Sequence, residues 1–354
     1  MTERVLTTRE LNRALLARQL LLERSELSLT GALERVAGLQ AQYAPSAYVG
    51  LWTRLRDFRR DALTKALEQR RAVQATLMRA TIHIVSRRDF HLFAAAIRDE
   101  RREWWFRVQR RQLQLEGVDM EKVAGRVQNH LADGPLRQAE IAERLRAEGF
   151  PRIAWVGAGM WIDLVRVPPS GTWEGRRADL YGLAETWLGP STATQAAGLE
   201  HLVRRYLAGF GPASLKDVAG WTGLPATTLR PVVDGLRLRR FRDEGGGELL
   251  DLPRAPLPNP DTPAPVRFLP TWDATLLVHA RRTQILPESA RPLVFNTKTP
   301  HSVSTFLVDG AVAGTWRYEE GRVRLEPFGR VPREARRDLD EESERLAAFH
   351  GEEG

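Results

Sequence analysis

Cysteine is absent from the 354 residues, so disulfides, thiolate nucleophiles and thiolate metal sites are excluded. No run of eighteen or more apolar residues occurs and no signal peptide is evident, which predicts a soluble, cytoplasmic protein with no membrane partner. Zinc-deaminase, P-loop and HExxH patterns are missing, and the seven histidines lack ligand spacing, so neither metal nor cofactor is expected. "GAGMWIDL" contains a Gly-x-Gly but neither the dinucleotide fingerprint nor a preceding strand, and reads as helix packing. Lysine is scarce too: all but Lys65, Lys122, Lys216 and Lys298 of the 53 basic residues are arginine.

What is present is positive charge. A formal net charge of +8 and a pI near 10.3 point to a polyanionic partner. Arginine suits bidentate contact with phosphate or carboxylate. At this length, with 42% apolar residues, the chain can fill more than one core.

Composition and turn signals divide the sequence into four parts. In residues 1–117, Leu11, Leu15 and Leu22, then Leu29, Leu33 and Val36, fall at helical spacing, and a third helix covers "RDALTKALEQ". The period changes to two in "ATLMRATIHIVS", with Met78, Ala80, Ile82 and Ile84 on one face and Arg79, Thr81 and His83 on the other. Helices followed by strands with a polar face read as a winged helix. Residues 118–192 repeat that order, with "VPPSGTWEGRRADLYGL" turning between two short strands. In 193–252, Ser214 caps a helix, Gly223 makes a turn, Pro225 opens a second helix and "RRFRDEGGGELLDL" forms a wing. A proline-rich connector, 253–270, precedes a β-rich part, 271–354. Its strands include "DATLLVH" and a hairpin turning at Asp309-Gly310, and they suggest a small barrel closed by a terminal helix. The expected fold is α+β, three tandem winged-helix modules and a C-terminal β-barrel.

Gln40 and Gln42 stand one residue apart where the second helical pattern meets Pro45. In an unbroken helix they would point about 200° apart, from the ~100° turn per residue. Pro45 disfavours helix at Ala44, so the chain should unwind near Gln40, and extended residues i and i+2 share a side. The amides can then converge. Neutral at ordinary pH, they cannot act as acid or base but can hold a water. The alternative is structural, with Gln40 capping a helix end and Gln42 solvated. Arg79, His83, His279, Arg281, Arg282 and Lys298 are candidate DNA contacts.

The blocks "GLQAQYAPSAYVGLW", "LMRATIHIVSRRDF", "YLAGFGPASLKDVAGWTGL", "FLPTWDATLLVHARR" and "VDGAVAGTWR" resemble a winged-helix family that contains the AlkZ-like DNA glycosylases. These excise N7-alkylguanines and unhook interstrand crosslinks. The resemblance spans most of the chain and implies three winged helices and a β-barrel around a basic channel, acting on double-stranded DNA as a monomer. Gln40-Ala41-Gln42 matches the family's catalytic motif of glutamine, a hydrophobic residue, then glutamine or aspartate. The resemblance therefore implies that Gln40 and Gln42 are catalytic. An N7-alkylated guanine is already cationic and leaves neutral, so it needs no general acid. The rival reading is a non-catalytic winged-helix DNA-binding protein such as a transcriptional regulator, since fold alone does not separate the two.

Overall fold

In a computed structural model, which describes residues 3–279, 283–296 and 301–352, the chain is α+β. Helix Thr8–Arg18 starts at a capping box in which Thr7 accepts from the Glu10 N–H while the Glu10 carboxylate takes the Thr7 N–H. Helix Leu29–Arg35 follows, capped by Ser28. Strands Ala72–Thr76 and Ile82–Ser86 form an antiparallel hairpin, and helix Arg87–Glu116 leaves it directly.

One mixed-origin sheet organises the first half of the molecule. Its six antiparallel strands run, in spatial order, Leu39–Gln40, Ile82–Ser86, Ala72–Thr76, Leu164–Arg166, Leu180–Leu183 and Leu136–Arg137. The two stretches expected to form separate modules therefore share a sheet, joined where Gln74 pairs with Arg166 and Ala75 with Val165. Helix Gln195–Phe210 lies across helix Arg87–Glu116. Their approach is so close that a Cβ at Gly198 would fall 2.4 Å from the Leu92 carbonyl oxygen.

Ser214 and Asp217 form a capping box for helix Leu215–Thr222, Gly223 turns the chain in the left-handed region, and helix Ala226–Gly235 follows. Strands Arg239–Asp243 and Glu248–Asp251 come next, and strand Val5–Leu6 joins the former in parallel. The last part departs from expectation. Among the described residues no sheet closes into a barrel: Arg267–Leu269, Thr305–Val308, Ala311–Glu319 and Arg322–Pro327 form an open antiparallel sheet covered by helix Arg333–Gly351. "DATLLVH" is not a strand, because Asp273 caps a short 3-10 turn, Ala274–Leu276, and turns its carboxylate inward. The Asp309-Gly310 hairpin turn is present, both residues at positive φ.

Two buried ion pairs tie distant segments. Arg54 meets Asp273 through two 2.9 Å contacts, and Arg18 meets Asp251 at 2.7 Å, with all four side chains at most 1% exposed. Such pairs add little over an apolar filling, but removing one partner strands a charge and costs about 3–5 kcal/mol. Among the described residues no helix is long and apolar enough to cross a membrane.

Candidate active site

Helix Leu29–Arg35 stops at Val36, and Ala37 and Gly38 take left-handed backbone at φ 62° and 81°. Gly38 has two reasons to be glycine, its positive φ and a neighbour: a Cβ there would sit 2.7 Å from Val85. The turn delivers Leu39–Gln40 as an edge strand against Ile82–Ser86, with Leu39 opposite Ile84 and Gln40 opposite His83. Directly paired residues share a face, so Gln40 and His83 lie on one side of the sheet. The Ala41 N–H donates to the Ile82 carbonyl at 2.8 Å, and helix Ala44–Trp52 then begins with Pro45 in its first turn.

Both glutamine side chains bond to the same hairpin. Gln40 Oε1 accepts from Arg79 Nη2 at 2.9 Å, and Gln42 Oε1 accepts from the Ile82 N–H at 2.6 Å. Guanidinium and backbone N–H groups only donate, so each amide oxygen must face the hairpin and each NH2 group is turned away. Among the described residues neither Nε2 makes a hydrogen bond, and each Oε1 retains a second lone pair. Gln40 is buried, whereas Gln42 is exposed.

Arg79 sits at the hairpin tip at φ 53°, followed by Ala80 at φ 55°. Its other terminal nitrogen, Nη1, donates to the Trp221 carbonyl at 2.7 Å, and its backbone rests against the Gly223 turn. The guanidinium bridges the glutamine strand and the helix pair after residue 214. Among the described residues it has no carboxylate partner, and burial pulls its pKa down to about 10, with only Tyr206 opposing. His83 is 2% exposed, and its Nδ1 lies 3.0 Å from the Thr81 carbonyl, which places the proton on that nitrogen. Burial, then the nearby Arg79 charge, lower its pKa to about 3, so the ring is neutral at ordinary pH.

A family profile described as "DNA glycosylase AlkZ-like" matches residues 33–349. The chain belongs to the AlkZ-like DNA glycosylase family. It is therefore an enzyme that acts on DNA. Among solved structures it is similar to Streptomyces sahachiroi DNA glycosylase AlkZ, with a TM-score of 0.80 and 18% identity over 98% of this chain and 96% of that one. A comparison with curated proteins finds no match.

The AlkZ-like chain places the other candidates differently from a solvated wing. Arg79 and His83 do not share an outward polar face, because a turn at Met78–Ala80 breaks the alternation and both hairpin strands are buried almost throughout. His279 is 6% exposed, with its ring 6.3 Å from Tyr206 and 6.4 Å from Phe210. The structure thus brings Gln40, Gln42, Arg79 and His83 together. Arg281, Arg282 and Lys298 lie outside the described residues. Trp221 and Tyr206 behind Arg79 escape sequence reasoning, since an apolar helix position gives no sign that its carbonyl anchors a guanidinium. Among the described residues no three His, Asp or Glu side chains cluster as metal ligands would.

Proposed function

We propose that this glycosylase hydrolyses the N-glycosidic bond of N7-alkylated, cationic purines in double-stranded DNA, with Gln40 and Gln42 positioning the attacking water. The observation that carries the reading is the absence of a carboxylate: among the described residues none bonds to Gln40, Gln42 or Arg79. Glycosyl transfer usually draws on a pair of carboxylates, one to protonate the leaving group and one to activate water or stabilise the cation. A cationic purine departs without protonation, which leaves orientation of the water as the remaining task. A water held by the two glutamine side chains would present a lone pair to the sugar carbon as the C–N bond breaks, and the proton it sheds once the C–O bond has formed would pass to solvent, since an amide cannot take it. An interstrand crosslink through N7 presents the same cationic leaving group and falls in the same substrate class.

The enzyme works as a monomer without metal or cofactor. Its succession of helices and strands is read as three winged-helix modules, 1–117, 118–192 and 193–252, followed by 253–270 and the terminal part 271–354. The test is release of free base from N7-methylguanine DNA in EDTA. Gln40→Ala and Gln42→Ala should each slow single-turnover release by about 10²-fold, if orientation supplies a few kcal/mol at 1.36 per decade. Affinity for DNA should hardly change. Binding without release in the wild type returns the protein to the regulator reading.

A further inference from the structure

On helix Gln195–Phe210 the Tyr206 ring packs 5.4 Å from Trp221, whose carbonyl holds Arg79. Arg204 and Ala208, two positions before and after Tyr206, point about 200° away from it at ~100° per residue. They line a cleft of about 570 Å3 on the far side of the helix from Gln40 and Arg79.

Four arginines from four segments converge on this cleft. Arg35 ends helix Leu29–Arg35, Arg204 stands on helix Gln195–Phe210, Arg237 follows helix Ala226–Gly235, and Arg254 belongs to the proline-rich connector. All four are exposed. Arg204 is paired with Glu200 at 2.8 Å, whereas among the described residues the side chains of Arg35, Arg237 and Arg254 make neither an ion pair nor a hydrogen bond. Exposed arginines elsewhere, such as Arg56, Arg240, Arg317 and Arg337, sit on carboxylates. No carboxylate is among the described residues that line the cleft.

The floor of the cleft is fixed. The Ala255 N–H turns back to the Leu252 carbonyl at 3.2 Å, Arg18 Nη2 donates to the Pro256 carbonyl at 2.9 Å, and Arg239 Nη2 donates to the Ala255 carbonyl at 3.0 Å. Arg18 and Arg239 both bind the buried Asp251 in turn. The turn that carries Arg254 is thus pinned from beneath while its side chain faces solvent.

Guanidinium forks suit phosphate oxygens. The rest of the lining is Ala208 and the aliphatic surface of 252–256, so no hydroxyl, amide or aromatic ring among the described lining residues can read a base edge or stack on an unpaired base. These groups fit the backbone of a double-stranded nucleic acid, taken without regard to sequence. A duplex seated at Gln42 does not supply that backbone. The helix between the two sites is about 10–12 Å across with its side chains, and DNA stays stiff over roughly 150 base pairs, so one segment cannot lie on both sides of it without a sharp bend.

We propose that the cleft binds the phosphate backbone of a second DNA duplex, so that the enzyme passes from one segment to another while holding both. Duplex DNA is the polymer on which the enzyme already acts, and non-specific phosphate contact is what lets a protein move over it.

The test loads the enzyme on a short fluorescent duplex without damage and chases it with rising concentrations of the same duplex unlabelled. Escape through solution does not depend on the chase, whereas transfer through a doubly occupied enzyme accelerates with it. The wild-type rate should rise with chase concentration and level off at a second-site Kd of about 10⁻⁴–10⁻⁶ M. The chase-dependent part should fall with salt at a log–log slope of about −2.7, from about −0.9 for each of three phosphates. Replacing Arg35, Arg237 and Arg254 together by Gln should cut the chase dependence by about 10-fold or more, a single charged hydrogen bond already accounting for that factor. Arg254→Glu alone should reduce it too. The rate extrapolated to no chase, the affinity for the first duplex and the melting curve should all match wild type. A wild-type rate indifferent to the chase overturns the proposal. So does a triple variant with wild-type chase dependence, or one whose affinity for the first duplex falls in step, since the arginines would then hold that first duplex. No lesion is involved, so failure here leaves the glycosylase reading untouched.

Discussion

Arg79→Met separates two roles for one guanidinium, holding the Gln40 amide or touching a DNA phosphate. In the folded protein its two terminal nitrogens are spent on Gln40 Oε1 and the Trp221 carbonyl. A hydrogen bond from a charged donor contributes about 1.5–3 kcal/mol. If that energy fixes the amide for catalysis, its loss slows excision by about 10- to 150-fold at 1.36 kcal/mol per decade. Stability should move less, because the variant also removes a desolvated charge without a carboxylate partner among the described residues; a net change under about 2 kcal/mol is expected. Arg79→Lys keeps the charge but not the fork that spans two acceptors, and should recover only part of the rate. The assay pairs single-turnover release from N7-methylguanine DNA with affinity for undamaged duplex across a salt series. The variant's salt slope should equal the wild-type slope. A slope shallower by about 0.9, with excision falling only as far as binding falls, means that Arg79 neutralises a phosphate and refutes the positioning role.

His83 gives a pH signature. The unfolded chain takes a proton near 6.5 and the folded one only near 3, so this contribution to stability is complete above pH 6.5 and declines as acid is added. At pH 5 the loss is about 2 kcal/mol, and His83→Gln should remove that part of the difference between urea midpoints at pH 7 and pH 5; an equal drop in both proteins would refute it. Burial alone would raise the Asp273 pKa, but the Arg54 charge and the hydrogen bonds from Arg54 and Thr275 outweigh it and lower the value below 3.8. Its stabilisation is therefore present above pH 3.8 and lost as pH falls through the lowered value. Asp273→Asn should cost about 3–5 kcal/mol at pH 7 and flatten the acid limb of the melting curve, whereas an unchanged limb would mean that other groups control acid unfolding.

Much of the outline is written in local signals. Ser214, Gly223 and Pro225 announce two helices and the turn between them, and Asp309-Gly310 announces its hairpin, because caps and left-handed turns depend on neighbours within a few residues. Pro45 signals that no helix runs through Gln40, and the chain there is extended. Other elements are silent. Every residue of helix Ala44–Trp52 is buried, so it has no polar side and no period to detect. The alternation from Met78 to Ile84 looks like a strand, yet Arg79 and Ala80 adopt left-handed backbone to reach Gln40 and the Gly223 turn. At the site itself, the spacing of Gln40 and Gln42 is visible, but the donors that orient them are an arginine 39 positions on and a backbone N–H 40 positions on. Contacts at such separation leave no local pattern.

Helix Thr8–Arg18 carries a consequence for how the protein is made. Asn12 donates to the carbonyls of Gln284 and Gly310 at 2.7 and 2.8 Å, Arg13 reaches the Thr262 carbonyl at 2.7 Å, and Arg9 binds Asp309. These partners are synthesised some 250 to 300 residues later. The helix therefore emerges from the ribosome long before its seat exists, and its polar side must wait in water while the intervening chain folds. Only when the strand after Gly310 has emerged can the two ends of the sequence lock, so a ribosome stalled short of that point carries a nascent chain open to proteases and chaperones.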